Sequence, residues 1–424
     1  MGLQRFAGSI RRCLAARSGA LGFVGGSLML AGSLFGCSRD VAYPQGLSWG
    51  EPPLSTYTGQ ARLGISNNGD DSLSFVSLDT GQPGAAAQLL GTALVGNNPI
   101  ELEGPHHLAA SSDGQFLFFN LSNYVTGGGS GPHGAHGTGT VPGSLIKWDV
   151  RTQRKVGEVL VDRSPGDVIV SRDGTLAIVS HYDLARLADQ LTRGRAPEEG
   201  YSTVAIVDTA SMRVLSNQSV CPTAHGLGLS PTGKQLYITC ALSDELATLD
   251  ISDPARPVLT SKVKVGSRPG PLGNPSYTPY ALTVHSDGSI WVSNNKSGDV
   301  RVFDPTRPSD GPQRIIPVGG VAMFSDFSSD GKTLYVPRQQ DDRLVAIDVA
   351  TGTTRDLLLP TTSCLNAHVA KVLPQSQLLT VICEGDHQAI KGTALSIDAA
   401  TWQIRGVVQL GLFPDGVALL PALN

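Results

Sequence analysis

Residues 224–240 read AHGLGLSPTGKQLYITC, and residues 327–348 read FSSDGKTLYVPRQQDDRLVAID. In both, an apolar strand meets a second one across a polar turn. The Thr-Gly or Asp-Gly pair in that turn supplies the positive φ that a tight hairpin needs. Related copies lie at 108–119, 168–179, 227–238, 282–293, 325–336 and 370–381, starting 60, 59, 55, 43 and 45 residues apart. That interval is one four-stranded unit plus insertions. Seven further segments alternate apolar and polar residues and end at Asp79, Asp149, Asp208, Asp250, Asp304, Asp348 and Asp398. Thr or Ser follows most of them within three residues, so these aspartates read as turn caps.

One such unit cannot bury both of its sheet faces, whereas a closed ring of them can. The expected fold is therefore all-β, a seven-bladed β-propeller. LFPDGVALLP (412–421) begins a seventh copy, and ARLGISN (61–67) with SLSFVSLD (72–79) supplies its missing strands. The N-terminal strands are thus expected to complete the last blade.

Composition agrees. Gly (50) and Pro (27) together make 77 of the 424 residues, well above the roughly 12% of average usage and without a collagen period. Charged residues are only 16% and apolar ones 40%, which excludes a disordered or coiled-coil chain. The net charge is −4, and four arginines (Arg5, Arg11, Arg12, Arg17) with no acid lie in the first 36 residues, leaving −8 on the remainder. Such a surface repels phosphate backbones, so no nucleic-acid partner is expected.

Those first residues have the form of an export signal. A basic stretch to Arg17 precedes an apolar run from Ala20 to Gly36, too short and too asymmetrically flanked for a stable membrane span. The run ends Leu34-Phe35-Gly36-Cys37, which resembles the bacterial lipobox and implies acylation of Cys37. Plain signal cleavage is the alternative. The domain reading is a signal peptide over 1–36, a tether over 37–57 rich in Pro, Gly and Ser, and a propeller over 58–424. The protein is expected in the cell envelope, in the periplasm or at the outer membrane, held to the membrane by a lipid.

The repeat resembles that of bacterial YVTN-type seven-bladed propellers, which are similar to WD-type repeats. The motif P-x-G-x-x-x-S-P-D-G-x-x-L-Y-V-x-N, with a later V-x-x-I-D-x-x-T, is matched best by the two stretches quoted first, and the likeness covers about residues 60–421. It implies the fold. It is weak for function, because members include exported binding proteins, lactonases and subunits of redox enzymes, and a propeller hosts unrelated activities.

Four cysteines lie within the repeats: Cys221 and Cys240, Cys364 and Cys383, each pair 19 residues apart and at matching places. Cys221 and Cys364 precede an innermost strand, and Cys240 and Cys383 end the second strand. In an antiparallel hairpin those ends are neighbours. Two disulfides within the third and sixth blades are expected in an oxidising compartment. Soft-metal ligation by Cys221/His225 and Cys364/His368 is the weaker alternative.

The histidines carry the functional reading. The x of the P-x-G position is, along the chain, His106, Gly166, His225, Tyr280, Met323, His368 and Asp415. These positions are expected to ring the mouth of the central channel. His106, His225 and His368 are candidate ligands for copper or zinc, with Asp415, Tyr280 and Met323 beside them, since neutral imidazole suits both ions. His107, His181 and His387 map to the same face, as do His133 and His136 in the Gly/His-rich insertion 126–143. A second insertion, 180–203, has the apolar spacing of a short helix. The competing reading is that polar residues at a solvated mouth need only hydrogen-bond partners.

No G-x-S-x-G elbow or phosphate-binding glycine loop is present, so the sequence shows no catalytic constellation. The first functional reading is an exported, lipid-anchored binding or scaffold protein that engages a small ligand, a metal or a protein partner with one face. The second is a copper- or zinc-dependent periplasmic enzyme or redox partner. The third, a lactonase-like hydrolase, needs a carboxylate-rich site.

Overall fold

The computed structural model describes residues 61–79, 86–97, 102–122, 139–374 and 376–422. The signal segment, Cys37, the tether, His133 and His136 lie outside these residues. The strands form seven four-stranded antiparallel sheets. The first runs outward through Pro105–Ala110, Phe116–Leu121, Pro142–Asp149 and Arg154–Arg163, and the second through Pro165–Val170, Leu176–His181, Ser202–Asp208 and Arg213–Cys221. The inner strands of blades three to six are Ala224–Leu229, Pro279–Val284, Asp326–Phe327 and Ala367–Val372.

The seventh blade closes the ring. Its inner strand, Pro414–Leu420, pairs antiparallel with Arg62–Asn67, with Leu63 opposite Leu419 and Ile65 opposite Val417. Ser72–Ser77 and Leu89–Leu94 follow outward. Residues 350 apart in the chain thus share one sheet, as Gly416 N–H donates to Ser66 Oγ at 3.0 Å.

The core lies between blades. Ile178, Val204 and Ile206 of blade two pack against Leu227, Leu236, Ile238 and Leu249 of blade three in one fully buried cluster. Second strands such as Leu378–Cys383 are buried along their whole length, whereas the outermost strand Arg154–Arg163 is mostly exposed. Burial therefore falls outward along each blade, as a ring of packed sheets requires. The turn glycines Gly114, Gly174, Gly233, Gly288 and Gly331 have φ between 70° and 94°, as their Asp-Gly or Thr-Gly sequences demand.

Both disulfides form, Cys221–Cys240 and Cys364–Cys383. They differ from the expectation in one respect. Cys221 is the last residue of blade two's outer strand, so its bridge ties blade two to the second strand of blade three. Cys364 lies in the connection between blade five's outer strand, which ends at Leu358, and blade six. Each bridge therefore staples a blade junction and buries its sulfurs in the inter-blade core. Among the described residues no helix is long and apolar enough to cross a membrane.

The second insertion contains the expected helix, α1 (Leu184–Arg193). Asp183 caps it by accepting from Arg186 N–H at 2.8 Å, and Gly194 ends it at φ 57°. Arg186 also pairs with Asp162 at 2.7 Å, which fixes α1 to the entry of blade two.

Candidate metal centre

Six of the seven inner strands begin with the same local geometry. The residue before the strand, Gly104, Ser164, Thr223, Thr278, Asn366 or Phe413, is left-handed, with φ between 51° and 62°. That turn brings the chain onto the axis. A register shift follows within the first residues of the inner strands of blades one to four and six, as between Pro105 and Leu108 or Pro165 and Val168. A bulge re-aims side chains, so that in blades one and two a second consecutive residue joins the axial network.

The first of the two is the ring read from the sequence. His106, His225, Tyr280, Met323, His368 and Asp415 are between 0% and 2% exposed, so this ring is a packed interior and not a solvated mouth. Its backbone is held from the preceding blade. Ser180 Oγ donates to His225 O at 2.6 Å, Thr239 Oγ1 to Tyr280 O at 2.8 Å, Asn120 Nδ2 to Gly166 O at 2.9 Å, and Ser66 Oγ to His106 O.

The bulges add His107 and Asp167, and the equivalent position of blade five adds Phe324. At Gly416 the equivalent position has no room, since a Cβ there would stand 2.9 Å from His107 Cα. In blade five the inner strand is only two residues long, and Phe324 instead pairs with blade six, donating its N–H to His368 O at 3.1 Å. Its ring lies 4.3 Å from that of His107 and 5.4 Å from that of His368.

A further ring comes from the residue after each second strand. Asn68, Ser122, Tyr182, Ala241, Asn295, Gln339 and Glu384 all donate a backbone N–H to the residue two before the ring position, at 2.8–3.2 Å. Glu384, Gln339, Asn68 and Tyr182 then turn side chains to the axis.

The resulting cluster is a continuous network. His106 Nε2 lies 3.2 Å from Asp415 Oδ2, and Asn68 Nδ2 donates to the same oxygen at 3.1 Å. His368 Nδ1 lies 3.2 Å from Asp415 Oδ1 and 2.7 Å from Glu384 Oε1. Glu384 Oε2 accepts from Gln339 Nε2 at 2.8 Å and meets His387 Nε2 at 2.7 Å. His107 Nδ1 lies 3.0 Å from Asp167 Oδ1, which leaves its Nε2 3.9 Å from Asp415 Oδ1. Burial alone would lower the pKa of His368, but the carboxylates of Glu384 and Asp415 raise it to about 10.

Two donor sets emerge: His106, His107 and Asp415, and His368, Glu384 and Asp415, each with donor atoms within 4.8 Å of one another. His225 belongs to neither. It stacks on Tyr280 at 4.0 Å and meets Tyr182 edge-on at 5.2 Å, and burial raises the pKa of Tyr182 to about 12 and holds that of Tyr280 well above the usual phenol value. Met323 is buried at its ring position. His181 ends the second strand of blade two and donates from Nδ1 to Thr203 O, 2.8 Å away, with its pKa lowered by burial to about 4. His387 stacks on Phe413 at 3.7 Å.

Donors that share one tetrahedral ion at about 2.1 Å stand about 3.4 Å apart. The cross-ligand separations here, 2.7, 3.2, 3.2 and 3.9 Å, bracket that value. The outer atoms of His107 and Glu384 are also already engaged, the arrangement that orients imidazole and carboxylate ligands. The residues fit a transition-metal ion.

No protein-family model matches the sequence, and no curated protein matches it. Solved structures do. The chain is similar to the periplasmic gluconolactonase of Pseudomonas aeruginosa, with 16% identity and a TM-score of 0.60 over 85% of this chain and 99% of that one. It is similar to the hydrazine synthase of Kuenenia stuttgartiensis, with 19% identity and a TM-score of 0.57 over 78% and 94%. It is also similar to the dihydro-heme d1 dehydrogenase NirN, with 13% identity and a TM-score of 0.53 over 87% and 77%. Likeness at these identities is a likeness of fold: the chain is a seven-bladed β-propeller.

Proposed function

We propose that the protein is an exported binding protein whose ligand is a divalent transition-metal ion, zinc or copper, held on the propeller axis. The observation that carries this reading is the convergence of His106, His107 and Asp415 from two inner strands onto one buried point. A mixed imidazole and carboxylate set suits zinc and copper better than calcium, which takes six or more oxygens. A bound ion would supply Lewis acidity there. The chain's own part is positional: Asp167 holds the His107 tautomer, and Asn68 holds Asp415.

Export through residues 1–36 and a lipid on Cys37 belong to the same proposal. The two disulfides support it, because such bonds persist in oxidising compartments. The surface that carries α1 is the one we propose for a protein partner.

A second reading is metal-assisted ester or lactone hydrolysis. It is favoured by Asp167 and Glu384, which add two carboxylates beside Asp415. The burial of every candidate ligand argues for the ion-binding reading over one that needs a sugar-sized substrate at the same place.

The test is the metal content of protein purified from the envelope fraction, beside His106→Ala and His368→Ala variants. Near-stoichiometric zinc or copper, lost in the variants, is expected. Metal-free protein that takes up neither ion on incubation contradicts the proposal.

A further inference from the structure

We infer that the axis holds two metal ions, with the Asp415 carboxylate bridging a site made with His106 and His107 and a site made with His368 and Glu384. The inference rests on the metal-binding reading above and adds to it the number of ions and the bridge. The two donor sets have a single residue in common, Asp415. Its Oδ2 stands 3.2 Å from His106 Nε2, while its Oδ1 borders both sets, 3.2 Å from His368 Nδ1 and 3.9 Å from His107 Nε2. A carboxylate used in this way spans two ions about 3.5–4 Å apart, the separation of two-metal centres.

Both halves are built to the same degree. On one side Asp167 engages His107 Nδ1 at 3.0 Å, so that Nε2 is the free donor turned to Asp415. On the other, Gln339 and His387 hold Glu384 Oε2 at 2.8 and 2.7 Å, so that Oε1 is turned to His368. A single ion at the first site would leave Glu384 with no role in ligation. Yet the fold brings it to the axis from the end of a different strand and anchors it with two side chains from two blades. Asn68 Nδ2, at 3.1 Å from Oδ2, steadies the bridge itself.

The rival arrangement is one ion at His106, His107 and Asp415, with a protonated His368 lying between Glu384 and Asp415. The two differ in stoichiometry. Chelator-treated full-length protein is titrated with zinc, freed of excess by gel filtration and analysed for metal per chain. The same protein loaded with copper(II) is examined by electron paramagnetic resonance.

The expected results are two zinc ions per chain and a copper signal broadened or lost through coupling between neighbouring ions. Glu384→Gln should retain one ion and restore an isolated copper signal, and Asp415→Asn should fall below one. Circular dichroism of each variant confirms the fold, and the wild-type stoichiometry stands without them. One ion per chain with an isolated copper signal in the wild type overturns this inference and leaves the binding function intact. No ion at all overturns both.

Discussion

Replacing Asp167 with Asn keeps the side chain's shape and changes only what it can accept. One carboxylate oxygen accepts from its own Val168 N–H at 2.8 Å and faces His107 Nδ1 at 3.0 Å, while the other accepts from Leu227 N–H at 2.9 Å. An amide satisfies only one of these sides. With its NH2 toward Leu227, two N–H donors face each other in a buried place, which costs about 1–3 kcal/mol. With its NH2 toward His107, the ring must accept at Nδ1 and carry its proton on Nε2, where it can no longer ligate. Either way the metal loses the negative partner that raises the basicity of His107, and outer-partner changes of this kind typically cost about 10–100-fold in affinity. The assay is zinc competition against a chromophoric chelator, together with thermal unfolding. Thr239→Val is the control. It removes two buried hydrogen bonds of 2.8 Å, from Gly226 N–H and to Tyr280 O, neither of which involves a residue of the two donor sets. It should lose about 1–3 kcal/mol of stability with unchanged affinity. Zinc affinity for Asp167→Asn within twofold of wild type would refute the orienting role.

The remaining predictions concern the scaffold. Cys364→Ser with Cys383→Ser should lower stability by about 3 kcal/mol, the loop-closure entropy for roughly 20 residues, read as an earlier urea midpoint; no shift would show that the bridge constrains nothing. His181 is buried with a pKa near 4, against an unfolded value near 6.5. The unfolded chain therefore binds the extra proton between these values, and stability should fall as pH drops from 6.5, by about 3 kcal/mol once below 4. His181→Gln should remove that part of the slope, measured by unfolding at each pH. Deleting residues 1–77 removes two strands of the closing blade and should abolish cooperative unfolding, followed by calorimetry.

Blade number, ring closure and the cysteine pairs were legible because they are periodic: turns, alternation and Asp-terminated strands repeat along the chain. The ring position was legible for the same reason, and it correctly brought His106, His368 and Asp415 to one axis. His107 was legible only as a residue of the same face and Asp167 only as a possible channel acid, because a strict two-residue alternation turns every second side chain away and it is the bulge that re-aims them. Glu384 had a usable signal that went unread. It follows the second strand of its blade, as Tyr182, Gln339 and Asn68 do, and aligning those seven positions would have found a second inward ring. Phe324 was obscured by blade five, which lacks the proline and glycine that mark the other inner strands. The expected solvated mouth is instead closed to bulk solvent: the His, Tyr and Asp side chains of the ring are at most 2% exposed.

The central claim is that metal binds on the axis between these particular side chains, and its most direct test is crystallographic. Crystals of the protein loaded with zinc would be measured on both sides of the zinc absorption edge and an anomalous difference map computed. The account predicts density about 2 Å from donor atoms of His106, His107 and Asp415. Zinc found only at surface histidines such as His285, or an axis without anomalous density, would contradict it.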